Sequence, residues 1–291
     1  MESVLQQLIY GLSVGSTYAL IALTITLVFR GMDLINFAAG ETFMVGAFLG
    51  YVFYVDYGLS MWIAFPLSIV AAYVIGAFLE WVFLRKLEKN PNPLSLFMMT
   101  VALSILLRNT AQLIFGSSAY RFPSMTDYVL RVGGLQVSGQ NLIIIGTTFV
   151  IMVLLFILLT KTALGLSLRA IAQDKTTSRM MGINVSRVNN ITFGLCAVLG
   201  AVAGIVYTPI AVLSFDMGNL IMLKGFTAAL LGGLGLVSGA VFGGLLLGVV
   251  EQFGTLFLAS AYKDLVSFTV LLVIILMKPN GILGKTKIKK V

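Results

Sequence analysis

Ionisable side chains inside apolar stretches are the first candidates for chemistry in this sequence. Glu41, Glu80, Arg108 and Glu251 each lie within a long apolar segment. Charged groups at membrane depth are costly, and they usually mark a substrate path, a relay or a buried pair. Glu80 is near one end of its segment, where its side chain could reach the membrane interface, so a structural role is favoured there. Arg108 requires an acidic partner that the sequence does not identify.

The segment from Asp33 to Glu41 combines polar residues with a glycine between two apolar stretches. Two interpretations are open: a tight turn at the membrane surface, or a helix break near the middle of the membrane. A break would expose backbone groups able to bind a zwitterionic amino acid. We therefore take Asn36, Ala39, Gly40 and Glu41 as the candidate substrate pathway.

Most hydrolytic chemistry is excluded by composition. The chain has no histidine and one cysteine, Cys196, which is interpreted as a small buried apolar residue. Catalytic triads and histidine relays are therefore ruled out. The sequence Gly284-Lys285-Thr286 resembles the end of a nucleotide-binding loop, but Pro279 stands where that motif requires glycine. We expect no enzyme activity, no metal and no bound cofactor in this chain.

The elements that position these residues are predicted to be membrane helices. Of 291 residues, 59% are hydrophobic and 10% are charged, against roughly 25% charged in a soluble domain. The net charge of +8 would suggest nucleic acid in a soluble protein, but here the basic residues lie in short segments between apolar runs, so no nucleic-acid partner is expected. We predict one all-α transmembrane domain over residues 1–291, in contact with lipid.

About eight or nine membrane segments are predicted from apolar runs near 20 residues long. The seventh is short and rich in glycine and alanine, which favours a broken or re-entrant helix near 221–236; whether it crosses the membrane is left open. The nine segments are 4–29, 37–55, 61–84, 94–115, 140–160, 188–213, 221–236, 238–259 and 264–278.

The distribution of lysine and arginine predicts the orientation. If all nine segments cross, one side collects 14 basic residues and the other collects 4. Cytoplasmic loops carry the excess of basic residues. We therefore expect the N-terminus outside, the loop 116–139 outside with a short strand near 128–132, and the C-terminus in the cytoplasm.

The loop 161–187 is the largest polar stretch on the predicted cytoplasmic side. Asp174 can cap a helix N-terminus and Gly182 can adopt the left-handed conformation after its end, so a surface helix of about two turns is predicted between them. Met180 and Met181 could then contact a partner. A solvated loop whose basic residues only set topology is the alternative, and the pattern alone does not decide.

Glycines are concentrated between residues 225 and 248. Gly235, Gly239 and Gly243 recur every four residues, a spacing that lets helices approach closely in lipid. Gly232 and Gly233 could instead allow a break beside a cavity. We predict helix packing or gating for these five positions, with packing alone as the simpler interpretation.

Several of these stretches together resemble the LivH-type permeases of branched-chain amino acid ABC importers. The match runs nearly end to end and in the same order, although the family often has histidine where Ala39 stands. The matching stretches are GSTYAL at 15–20, INFAAGE at 35–41, LRA at 168–170 with GIN at 182–184, FTAALLGGLG at 226–235 and PNGILG at 279–284.

The resemblance implies an inner-membrane permease that passes branched-chain or related hydrophobic amino acids into the cytoplasm. It implies a second permease subunit (LivM-like, or a second copy), two cytoplasmic ATPase subunits that bind ATP and magnesium, and an extracytoplasmic binding protein. It also places the helix that couples to an ATPase within 169–184. The coupling candidates are then Arg169, Asp174, Arg179, Met180, Met181 and Gly182.

Two alternatives to this function remain. The same architecture could carry amides or urea, since the binding protein usually sets the affinity. A secondary transporter would require an ion-coupling site between inverted repeats. The sequence shows no convincing inverted repeat and few carboxylates at membrane depth.

Overall fold

A computed structural model describes residues 2–87, 92–126, 128–132, 135–256, 262–278 and 280–284. These residues form helices and one short hairpin, which confirms the all-α prediction. The helices are α1 Glu2–Met32, α2 Ala39–Tyr51, α3 Met61–Leu79, α4 Arg85–Leu87, α5 Pro93–Phe115, α6 Gly139–Lys161, α7 Ala163–Gln173, α8 Lys175–Met180, α9 Val185–Tyr207, α10 Met217–Gly232, α11 Val237–Gly254 and α12 Lys263–Met277. Two π-helical turns, Val52–Asp56 and Glu80–Leu84, extend α2 and α3, and a 3₁₀ turn, Thr208–Ile210, extends α9.

In the part of the chain described, six helices are long and apolar enough to cross a membrane. The helix in the seventh predicted segment, α10, is shorter, with 16 residues. At 1.5 Å per residue it is about 24 Å long, less than the roughly 30 Å of a bilayer core. It covers 217–232 instead of the predicted 221–236, because Gly233 and Gly235 have φ values of 105° and 83° and end the helix earlier.

The long helix α1 is the centre of the bundle. It is almost wholly buried beyond its first turns and packs against α9, α10 and α11. Its contact with α11 is made by small residues: a Cβ atom at Gly15 would lie 2.9 Å from the Cα of Leu245, and one at Gly244 would overlap the backbone of Ala19. Helices in lipid associate through such close packing, since lipid supplies little hydrophobic drive between them.

Helix α2 starts deep inside the bundle. It runs parallel to α9, with Thr42 against Gly200 and Ala47 against Gly204. Gly200 is far from the start of α9 at Val185, roughly 22 Å at 1.5 Å per residue. The connection between α1 and α2 must therefore return part of the way along the bundle before α2 begins.

A two-stranded hairpin lies at the end of the bundle where α1 begins, and the Gln6 side chain of α1 donates a hydrogen bond to its Gln136 carbonyl. Strands β1, Val129–Val132, and β2, Leu135–Ser138, pair antiparallel with Leu130 opposite Val137. The strand predicted near 128–132 is thus confirmed.

Candidate functional site

The connection 33–38 is a helix break and not a surface turn. Asp33 has a φ of 53°, and the residues that follow are not helical. Asn36 is buried, and its Oδ1 accepts a hydrogen bond from the Ala38 amide at 3.0 Å. The Thr100 hydroxyl donates to the Ile35 carbonyl at 3.3 Å. The break is therefore held by side chains that satisfy its exposed backbone groups, as membrane depth requires.

Glu41 lies in the first turn of α2, just past this break. It is 1% exposed, and its Oε1 accepts a hydrogen bond from the Ser104 hydroxyl at 3.1 Å. Its Oε2 is buried and has no hydrogen-bond partner among the described residues. The positive charge of Arg108 on α5 acts on this carboxylate, but no ion pair within 4 Å joins the two side chains among the described residues.

The first turns of α2 and α10 meet at Glu41. A Cβ atom on Gly40 would overlap the Gly218 carbonyl oxygen, and one on Gly218 would lie 2.8 Å from Glu41 Oε2. The carboxylate is therefore close to the start of α10, where a helix dipole favours negative charge. Ala39 packs in the apolar core beside the break. The structure thus brings the four pathway candidates together. The Asn36 side chain is hydrogen-bonded to the backbone, and one of the two carboxylate oxygens of Glu41 accepts a hydrogen bond.

Helices α7 and α8 form a second candidate surface at the end of the bundle where α1 stops. Leu168 and Ile171 of α7 are buried, and Leu168 packs beside Gly31 at the end of α1. The Arg169 guanidinium donates to the Leu159 carbonyl at the end of α6. These contacts tie α7 to two membrane helices.

Helix α8 has specific signals at both ends. Asp174 Oδ1 accepts from the amides of Thr177 and Thr176 at 3.0 and 2.8 Å, and these bonds hold the pKa of that carboxyl below its usual range. At the other end Gly182 has a φ of 86°, and the Ile183 amide donates to the Ser178 carbonyl, which is a Schellman motif.

Five of the six candidate coupling residues lie on this capped helix or at its ends, and the sixth, Arg169, lies on α7. Met180 and Met181 are 82% and 79% exposed, and Arg179 is exposed beside them. The structure therefore places an apolar tip on a short, well-terminated helix. Whether this tip contacts an ATPase remains a prediction.

The glycine segment divides into two parts. Gly239 packs against Gly232, and Gly243 packs against the Ala228 carbonyl, so these positions hold α10 and α11 together. Gly233 and Gly235 lie in the turn between the two helices. The predicted four-residue row therefore does not include Gly235, whose positive φ serves the turn.

The segment 280–284 closes this turn. The Ile282 amide donates to the Leu231 carbonyl at 2.8 Å, and Gly281, with a φ of 80°, packs against Gly233. The end of α10 would otherwise leave carbonyl groups without donors. Pro279 lies outside the described residues.

A buried charge cluster was missed by the sequence analysis. Glu251 of α11 is 0% exposed and is surrounded by donors. Its carboxylate is bonded by the Tyr18 hydroxyl at 2.9 Å, the Lys224 ammonium at 3.0 Å, the Lys263 ammonium at 3.2 Å and the Ser267 hydroxyl. The cluster joins four helices, α1, α10, α11 and α12.

Lys224 is one of the four basic residues assigned to the outer side by the lysine and arginine distribution, and this assignment is wrong because Lys224 is buried within α10. It is 3% exposed, in the middle of α10, and also pairs with Asp264 at 2.7 Å. A lysine inside an apolar segment requires a buried acidic partner. The position of Lys224 within the predicted segment 221–236 could therefore have indicated the buried charge cluster. The Glu80 side chain does not reach toward the interface, since it is 0% exposed and accepts a hydrogen bond from Asn190 at 2.5 Å; the structural role favoured for it stays a prediction.

The fold and these sites define a class: a polytopic helical membrane protein with helices that start at mid-depth and a capped helix pair at one membrane face. A family model described as "Branched-chain amino acid transport system / permease component" matches residues 7–275. The chain belongs to this family and is a membrane permease component. The predicted family resemblance is confirmed.

Individual relatives agree along the full length. The chain is 36% identical to the high-affinity branched-chain amino acid transport system permease protein BraD of Pseudomonas aeruginosa, with 99% of this chain and 98% of BraD covered. It is 34% identical to the corresponding LivH protein of Escherichia coli strain K12, covering 99% and 97%. A solved structure, PsaBC from Streptococcus pneumoniae in complex with Fab, has a similar fold with a TM-score of 0.50, 17% identity, and 96% and 93% coverage.

Proposed function

We propose that this permease is the membrane subunit of an ABC importer that passes branched-chain or related hydrophobic amino acids into the cytoplasm. The names of the full-length relatives support this substrate class. Its partners are a second permease subunit or a second copy of this chain, two cytoplasmic ATPases that hold ATP and magnesium, and an extracytoplasmic binding protein. The basic residues favour a cytoplasmic position for α7 and α8, with the N-terminus outside.

The observation that carries the proposal is the exposed Met180–Met181 tip on a helix capped at both ends. A permease without its own nucleotide site must receive force through a protein contact. In our account the tip fills a groove on the ATPase as a buried anchor. Methionine suits such a contact because its side chain adapts to the partner surface.

Force on α8 then has a route to the candidate substrate pathway. Helix α7 packs through Leu168 against Gly31, near the end of α1. The break 33–38 begins directly after α1 and leads to Glu41. A displacement of α7 and α8 would therefore be passed to the carboxylate at mid-depth, where we propose that the ammonium group of the substrate passes.

The test is the double substitution Met180→Ala with Met181→Ala. Truncation of a buried interface anchor typically costs about 2 kcal/mol or more, which is roughly thirtyfold in affinity. We expect the ATPase to be lost from the purified complex, or its substrate-stimulated hydrolysis in liposomes to fall, while the membrane bundle stays folded. Met98→Ala with Met277→Ala is the matched control, since both methionines are exposed and lie on α5 and α12 instead of α8.

Retention of the ATPase and full substrate-stimulated hydrolysis in the double variant would overturn the coupling role of α8. An equal loss in the control pair would show that any removal of exposed methionine disturbs the complex. Substrate class is tested separately, by competition of leucine, an amide and urea for uptake by the wild-type complex. Uptake that urea or the amide blocks better than leucine would overturn the amino acid assignment.

A further inference from the structure

A deep cleft opens on the side of the bundle at the end where α7 and α8 lie. Its volume is about 700 Å³, and its walls come from α1, α6, α7 and α11. Val153 and Phe156 line one side and Val241 and Phe242 the other. The walls extend along about eight residues of α11, which corresponds to roughly 12 Å at 1.5 Å per residue.

Two arginines stand at one end of this otherwise apolar cleft. Arg30 ends α1 and Arg169 lies on α7, and both line the cleft. Their positive charges are close enough to act on each other. Among the described residues neither guanidinium is in an ion pair, and Arg169 is oriented by its bond to the Leu159 carbonyl. Two adjacent guanidinium groups without a carboxylate partner among the described residues form a site that favours an anion.

We infer that this cleft binds a phospholipid with an anionic headgroup. The phosphate lies between Arg30 and Arg169, where guanidinium groups can donate paired hydrogen bonds to its oxygens. An acyl chain lies along the apolar walls of α6 and α11, toward the middle of the membrane. The lipid belongs to the leaflet on the side of α7 and α8, which is the cytoplasmic leaflet in the proposed orientation.

The charge arrangement favours a lipid over a helix of another protein as the occupant. A membrane helix that filled the cleft would have to bring its own buried acid to both arginines, at high cost. A phospholipid has its negative charge at the membrane interface and its acyl chains at depth. The cleft has its two arginines and its apolar walls in the same order. A lipid bound here would also connect α7 to α6 and α11, and so stiffen the base of α7.

The experiment is native mass spectrometry of the intact transporter complex after exchange into mixed micelles with phosphatidylglycerol or phosphatidylcholine. We expect phosphatidylglycerol to be retained on the wild-type complex in preference to phosphatidylcholine. Arg30→Gln with Arg169→Gln should lower phosphatidylglycerol retention by roughly tenfold or more, since each basic residue near the surface contributes to binding anionic lipid. Lys161→Gln is the control, because Lys161 is an exposed basic residue at the end of α6 that does not line the cleft.

A second variant tests the apolar wall without changing charge. Val153→Trp should fill the cleft and lower retention even though both arginines remain. Equal retention of the two lipids by the wild-type complex, or unchanged retention in both variants, would overturn the proposal. An efficient disulfide between cysteines placed at position 153 and on the second permease subunit would show a protein helix in the cleft, and would also overturn it.

Discussion

Two buried carboxylates of the membrane bundle, Glu251 and Glu41, differ in how completely they are paired. Glu251 and Glu41 are 0% and 1% exposed. Glu251 receives hydrogen bonds or ion pairs from four side chains on three other helices, α1, α10 and α12. Glu41 receives one hydrogen bond, from Ser104, and keeps an oxygen with no hydrogen-bond partner among the described residues.

We interpret this difference as one between a structural carboxylate, Glu251, and a carboxylate proposed to act in transport, Glu41. A buried charge without sufficient partners costs several kcal/mol, so a fully paired carboxylate fixes the helices that supply its partners. A half-paired carboxylate beside a helix break has bonding capacity left for a ligand. We therefore assign Glu251 to the assembly of α1, α10, α11 and α12, and Glu41 to the substrate pathway.

The largest effect is expected from breaking the Glu251 cluster. Glu251→Leu would leave Tyr18, Ser267 and Lys224 without their shared acceptor, and loss of one member of a buried pair typically costs about 3–5 kcal/mol. We expect little folded permease and a lower melting temperature of what is purified. Adding Lys224→Met to the same chain should recover part of the yield, because it removes a buried ammonium that has lost one of its two carboxylate partners and keeps only Asp264. A single variant that melts like wild type would remove the structural role of Glu251.

A smaller effect is expected from steric change beside Glu41. Gly40→Ala would place a methyl group on the Gly218 carbonyl, and such overpacking typically costs about 1–3 kcal/mol. Transport should fall together with thermal stability, since α2 and α10 would be forced apart. Gly146→Ala in α6 is the control, because a Cβ atom there meets nothing within 4 Å. Wild-type stability and transport in Gly40→Ala would show that the close approach is not required.

The smallest effect is expected from removing one hydroxyl at each carboxylate. Ser104→Ala and Ser267→Ala each remove a single hydrogen bond, a loss of about 1 kcal/mol. Ser267→Ala should lower the melting temperature slightly and leave transport intact, because three other donors remain at Glu251. Ser104→Ala should reduce uptake more than stability. The opposite pattern in the two variants would reverse our assignment of the two sites.

The helices and the family were predictable because each depends on long stretches of sequence. The caps of α8 were predictable too, since Asp174 and Gly182 act locally. The Glu251 cluster was not, because its partners are separated by up to 233 residues along the chain. Gly235 was assigned to a helix face by spacing alone, and spacing does not show that a turn precedes α11. The break at 33–38 was one of two open interpretations, and only packing against α5 and α10 decides between them.

The most direct test of the central claim is the substitution Glu41→Gln in the complex reconstituted into liposomes, with uptake and melting temperature measured on the same preparation. The amide oxygen still accepts from Ser104 and the buried charge is removed, so we predict an assembled complex with wild-type stability. Uptake should fall by roughly tenfold or more, which corresponds to about 1.4 kcal/mol or more of lost transition-state stabilisation. Full uptake, or a loss of uptake matched by an equal loss of assembled complex, would contradict the account.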